Sequence, residues 1–287
     1  MIPDSEIRRS AQSDGVEPVT VERDYVLGWV LAGCFRPEAG RGSWVFKGGT
    51  CLKKCYFQDY RFSEDLDFTL TAPVTPADVE GTLRGAARWA EEASGIRLND
   101  RPIRHEVISE GTRQETYRFS LYYRGPHRQV GDQSAIKVDL TFNEEILLQP
   151  AERPLIHPYS DQDSQGTVTI LSYSLEEVLA EKVRAMSGQR RFAISRDPFD
   201  IDQLIKRGAD TVRASDILRK KCAIKGVDIQ TISAQMLSSR KEAFRRDWET
   251  NLSHLLPLGL RVSFEESWEG ALKGVESMWR NSLGAKS

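Results

Sequence analysis

Apolar and polar residues alternate with a period of two in some stretches of this chain and recur every three to four residues in others, so the pattern predicts a mixed α and β protein. In Asp65-Leu66-Asp67-Phe68-Thr69-Leu70, the residues Leu66, Phe68 and Leu70 share one face of an extended strand. Asp65, Asp67 and Thr69 share the other. Residues 136–142 repeat the pattern, with Ile136, Val138, Leu140 and Phe142 on one side and Lys137, Asp139 and Thr141 on the other. Residues 117–123 alternate as a strand beside them, and Trp44-Val45-Phe46 forms a short apolar strand upstream. The helical period predicts a helix over 19–33 and another opened by Thr75-Pro76 and carried by Val79, Leu83, Ala87 and Ala90. A third helix begins at Ser174, where Ser174 and Glu177 have the spacing of a capping box. Further on, Asp197 reads as an N-cap, Pro198 as the first helical residue and Asp200 as a first-turn acid. The segment 143–166, rich in Pro, Asp, Ser and Gln, divides a mixed domain over 1–165 from a helical domain over 166–287.

The polar faces carry the candidate chemistry. Asp65 and Asp67 lie side by side, and their repulsion is unfavourable unless a divalent cation sits between them. Oxygen-only ligation by carboxylates suits Mg2+ that also holds substrate phosphates, and Asp139 on the neighbouring strand supplies a third acid of the kind a two-metal site uses. Upstream, Gly48-Gly49-Thr50 follows a strand and precedes a helical stretch, an arrangement that lets backbone N–H groups approach an anion. Each part has a plainer reading: an ordinary strand-to-helix turn, or the solvated face of a half-buried strand. The combination favours a triphosphate site made of Lys47, Gly48, Gly49 and Thr50, with Arg61 and Ser63 as further nucleotide-binding candidates.

In the helix after Ser174 the apolar stripe runs through Leu175, Val178, Leu179, Val183 and Met186, and Lys182 falls on that stripe. Either the lysine snorkels to water along its methylenes or it serves as a fixed positive charge on phosphate. Asp200 is either a helix-start acid or a functional group that orients Lys182 or acts as a base.

These blocks resemble the nucleotidyltransferase AbiEii/AbiGii toxin family, the toxin half of bacterial type IV toxin–antitoxin and abortive-infection systems. The resemblance rests on Lys47-Gly48-Gly49-Thr50, Arg61-Phe62-Ser63-Glu64-Asp65-Leu66-Asp67-Phe68, Lys137-Val138-Asp139-Leu140, the helix from Leu175 to Ala185, and Arg196-Asp197 with Phe199-Asp200-Ile201. It implies an α+β fold: a DNA polymerase β-like nucleotidyltransferase domain with a mixed sheet, then a helical C-terminal domain that completes the active site. It also implies an NTP donor, an RNA acceptor that is tRNA for some relatives, a cognate antitoxin, and Asp65, Asp67, Lys182 and Asp200 as catalytic residues. Asp65, Asp67 and Asp139 would be the metal ligands.

Composition narrows the alternatives. With 287 residues, 39% hydrophobic and 29% charged, the chain has the make-up of a globular protein with two cores. No stretch approaches twenty apolar residues and the polar start is no signal peptide, so the expectation is a cytoplasmic protein with no membrane partner. Cys34, Cys51, Cys55 and Cys222 lack metal-type spacing and are expected as buried thiols. No histidine cluster supports a hydrolase. The net charge is −2, yet basic residues gather in Arg184, Arg190, Arg191 and Arg196 and again over 205–225, either where a phosphate backbone would be met or, after Arg207, as a solvated helical face. Two other classes remain: a small-molecule nucleotidyltransferase of the antibiotic-modifying kind, and a catalytically inactive interaction protein on the same fold.

Overall fold

A computed structural model describes residues 1–36, 43–109, 115–127, 133–142, 144–186 and 192–284. The chain divides into two compact units. The first comprises Met1–Glu144, Pro150–Tyr173 and Leu255–Leu260; the second comprises Glu145–Gln149, Ser174–His254 and Arg261–Ser287.

The first unit is a mixed sheet packed on helices. Its strands are β1 (Trp44–Lys47), β2 (Asp65–Leu70), β3 (Arg104–Ser109), β4 (Glu115–Tyr123), β5 (Ser134–Thr141), β6 (Ala151–Pro154) and β7 (Thr169–Ser172), in the order β3-β4-β5-β2-β1-β7-β6. β2 runs parallel to β5 and β1 parallel to β7, and the remaining pairs are antiparallel. β7 lies past residue 165, so the sheet extends beyond the division that composition suggests. Helices α1 (Asp4–Asp14), α2 (Pro18–Cys34) and α4 (Pro76–Ser94) belong to this unit, as does α3 (Gly48–Cys51), which runs on as a π-helical turn over Leu52–Tyr56. The apolar face of the sheet supplies Leu66, Phe68, Ile136, Val138 and Leu140 to a core shared with Val26, Val30, Leu83 and Ala87. Pro76 and a closed capping box between Thr75 and Asp78 start α4 as the sequence predicts.

The helix that follows the Gly-Gly turn is anchored from below. Lys54 Nζ lies 2.7 Å from Asp24 Oδ2 on α2, with both side chains at most 2% exposed, and the Tyr159 hydroxyl donates to the same carboxylate at 2.8 Å. Burial pulls the Lys54 ammonium below the usual lysine range, and Asp24 opposes that pull. Asp24→Ala strands a buried ammonium, so we expect a loss of about 3–5 kcal/mol in urea unfolding. A midpoint equal to wild type would show that the pair contributes nothing.

The second unit is helical: α5 (Leu175–Arg184), α6 (Arg196–Lys206), α7 (Thr211–Lys225), α8 (Ala234–Ser238), α9 (Lys241–Asn251) and α10 (Phe264–Gly284). Val178, Leu179, Phe199, Leu204, Leu218, Trp248 and Trp268 are buried in it. Half of the predicted capping box on α5 forms. The Ser174 hydroxyl accepts from the Glu177 N–H, but the Glu177 carboxylate accepts from the N–H groups of Leu147 and Leu148, each at 2.9 Å, and pairs with buried Lys221 at 2.8 Å. Glu177 is spent on tying the 145–149 segment to the helices. The four cysteines are buried and form no disulfide.

Candidate active site

β1 and β2 pair with Lys47 opposite Asp67, so the turn that leaves β1 starts beside that carboxylate. Gly48 has a φ of +80°, and a Cβ placed there would collide with Asp67 Oδ2. The backbone conformation and the close approach both require glycine. At Gly49 a Cβ would overlap the Arg61 guanidinium. The two glycines thus lie between a carboxylate and a guanidinium, and the Gly-Gly turn and the Asp-x-Asp strand are one local construction.

Several predicted nucleotide-binding residues hold this construction together. Arg61 is 1% exposed and donates from Nη1 to the Phe62 carbonyl at 3.1 Å, under the turn. The buried Thr50 hydroxyl donates to the backbone carbonyl of Asp65, fixing α3 to β2. Ser63 is also buried. Lys47 pairs with the Glu144 carboxylate, which is 3% exposed. Glu144 carries no motif in the sequence. Its place follows from the course of the chain just after β5, which no periodicity announces.

Asp65 and Asp67 are half-buried on the polar face of β2. Thr69 continues that face, its hydroxyl 2.7 Å from the Tyr173 hydroxyl. Asp139 stands beside Asp67 in the parallel register of β2 and β5. Both its oxygens accept from Arg118 on β4, from Nε at 2.8 Å and from Nη2 at 2.7 Å. Those bonds hold the Arg118 guanidinium above its ordinary pKa range despite its burial. Among the described residues no three His, Cys, Asp or Glu side chains gather as a metal-binding group. Asp65 and Asp67 are the acids that β2 places on this face, and Asp139 beside them is engaged by an arginine that the alternation pattern does not distinguish from any other polar strand residue.

In the second unit, Lys182 Nζ lies 2.8 Å from Asp197 Oδ1 and 3.0 Å from Asp200 Oδ2, and the two acids are 1% and 0% exposed. The ammonium is held in a buried triad, so the snorkelling reading does not describe it. Asp197 is not the N-cap of α6: the helix starts at Arg196 with Ser195 at the N-cap, and the Asp197 carboxylate goes to Lys182. A lysine counter-charge outcompetes a backbone cap for that carboxylate. Of the basic residues over 205–225, Lys206 pairs with Asp202, Arg219 with Asp216 and Lys221 with Glu177 and Glu181. Part of that run is therefore structural. Arg190 and Arg191 lie outside the described residues.

The family described as "Nucleotidyl transferase AbiEii toxin, Type IV TA system" matches residues 29–273. The fold is similar to that of MenT4, a nucleotidyltransferase toxin from Mycobacterium tuberculosis, with a TM-score of 0.63, 17% identity, and coverage of 100% of this chain and 95% of that one. It is similar also to JHP933 from Helicobacter pylori, with a TM-score of 0.58, 15% identity, and coverage of 94% and 95%. No curated protein sequence matches the chain significantly. The family match spans both compact units and every motif block, and the chain is a nucleotidyltransferase that belongs to the AbiEii toxin family of type IV toxin–antitoxin systems.

Proposed function

We propose that this protein transfers a nucleotidyl group from an NTP to a terminal hydroxyl of an RNA acceptor, tRNA being the leading candidate, and that it inhibits growth until a cognate antitoxin opposes it. The observation that carries the reading is the contact of Gly48 with Asp67, which puts a phosphate-approaching turn and a pair of acids at one point of the fold. Two half-buried carboxylates on one strand face, with a glycine turn against one of them, form an oxygen donor set that fits Mg2+.

In this reading Asp65 and Asp67 would hold a cation that would neutralise charge on the triphosphate, and Asp139 acts through Arg118, which it orients. Backbone N–H groups of the Gly48-Gly49 turn receive phosphate oxygens, and Arg61 and Thr50 fix the turn from below. The acceptor oxygen bonds to the α-phosphorus, the bond to the oxygen bridging to the β-phosphorus breaks, pyrophosphate leaves, and the hydroxyl proton passes to a carboxylate of the site. In the helical unit Lys182 is paired with Asp197 and Asp200, and the family resemblance makes Lys182 and Asp200 the candidates there for a catalytic role. No helix among the described residues is long and apolar enough to cross a membrane.

Induced expression of the wild-type chain in a bacterium should arrest growth, and RNA from arrested cells should carry added terminal nucleotides when its ends are sequenced. Expression of Asp67→Ala should do neither. Unimpeded growth with unmodified RNA ends would remove RNA as the acceptor.

A further inference from the structure

The polar face of the sheet does not stop at the acids. Partners in register present their side chains on the same side, so the face that carries Asp65 continues through Lys137 on β5 and Ser120 on β4 to Arg104 on the edge strand β3. With neighbouring strands about 4.8 Å apart, this row leads roughly 14 Å from the candidate catalytic acid to the sheet edge. Lys137 and Arg104 are exposed, and Ser120 is half-buried. Along β4 from Ser120 stands Tyr122, half-buried, with the Arg101 guanidinium 5.3 Å and the Arg104 guanidinium 5.9 Å from its ring centre. Arg101 also lines a cavity of about 490 Å3 shared with Arg84 and Arg88.

Among the described residues the acids near this path are few or committed. Asp139 is bound to Arg118, Asp100 faces Arg97 and Arg124, and Glu80 pairs with Arg84. Glu106 is the exposed acid on the same face, one position along from the row. Positive side chains spaced along a path, ending at an aromatic ring with two guanidiniums near it, form the arrangement that binds a single nucleic-acid strand: cations follow the backbone and the ring takes a base. An acidic peptide would answer the charge but would leave the aromatic platform without a role.

We propose that this sheet face, from Asp65 through Lys137 and Arg104 to Tyr122, is the track of the acceptor strand: a single-stranded RNA end whose terminal hydroxyl lies at Asp65, with an upstream base on Tyr122 and phosphates on Lys137, Arg101 and Arg104. The inference rests on the RNA-acceptor reading above and adds to it the path of the acceptor, which no sequence motif marks.

The test uses the full chain, a short fluorescein-labelled single-stranded RNA followed by anisotropy over a salt series, and a fluorescent NTP analogue titrated in parallel. Tyr122→Ala should weaken RNA binding about tenfold while Tyr122→Phe, which keeps the stacking plane, stays close to wild type. The double variant Arg101→Glu with Arg104→Glu should weaken binding by about a hundredfold and flatten the salt dependence. Affinity for the NTP analogue and the melting temperature should not change in any of them, because these residues lie away from the Gly48 turn. RNA binding and terminal labelling unaffected by Tyr122→Ala and by the charge reversal would overturn the track while leaving the RNA-acceptor reading standing. Displacement of the RNA by poly-glutamate as readily as by unlabelled RNA would also overturn it, by showing bare charge attraction. A wild-type chain that neither binds nor labels any RNA would overturn both.

Discussion

Asp67→Ala should abolish nucleotide transfer, with a loss of about a thousandfold or more, and Asp65→Ala should do the same, because each removes one of the two carboxylates on the polar face of β2 that we propose hold the cation. The fold should stay intact, because the two acids repel one another across one strand face and deleting either relieves that repulsion. For Asp67 a second effect follows from the turn: its carboxylate fills the space against Gly48, and the alanine variant frees the turn to move. Pyrophosphate release and a thermal melt on the same preparation decide the matter. Transfer within about tenfold of wild type in either variant would remove the acids from the chemistry.

The second large effect belongs to Lys182. Read from the apolar stripe alone, Lys182→Met should pack as well as or better than lysine, with melting near or above wild type. The geometry reverses that expectation. Lys182 is a counter-charge of Asp197 and Asp200, which are almost wholly buried, and methionine removes its positive charge from beside two carboxylates in a low-dielectric interior. We expect Lys182→Met to cost about 3–5 kcal/mol in unfolding free energy as well as most of the activity. The two losses can be separated. Adding Asp197→Asn and Asp200→Asn to Lys182→Met should restore most of the stability, since neutral amides no longer need a cation, but should restore none of the transfer. A Lys182→Met protein as stable as wild type would contradict the buried triad. Recovery of activity in the triple variant would reduce Lys182 to a structural role.

The parts of the fold that the sequence discloses are those with strict periodicity and strong end signals. β2 and β5 follow from alternation, α4 from Thr75-Pro76 and its stripe, and α2 over Pro18–Cys34 from the run predicted over 19–33. β3 escaped, although Arg104-His105-Glu106-Val107-Ile108-Ser109 alternates, because an edge strand with one exposed face has little apolar signal: Val107 is 55% exposed. β7 escaped because it is four residues long and follows the segment whose composition suggests a boundary. In the site, the acids and glycines were legible because their types and spacing are demanded by local chemistry. The roles of Arg61, Thr50 and Asp197 were not legible. Whether a hydroxyl, a guanidinium or a carboxylate turns toward the substrate face or toward a neighbouring carbonyl or ammonium is settled by tertiary packing, and alternation carries no information about it. Glu144 and Arg118 illustrate the same limit from the other side: each engages a residue of the predicted site through sheet register or chain course, with nothing in its own neighbourhood to mark it.

The most direct measurement combines the purified chain, Mg2+, each of the four α-labelled NTPs in turn and total bacterial RNA, with the products resolved on a denaturing gel and Asp67→Ala run alongside. A nucleotidyltransferase acting on RNA gives a discrete labelled RNA band with at least one NTP, lost on chelation of the metal and absent in the variant. No label in any RNA with any NTP, or a band of equal intensity from Asp67→Ala, would contradict it.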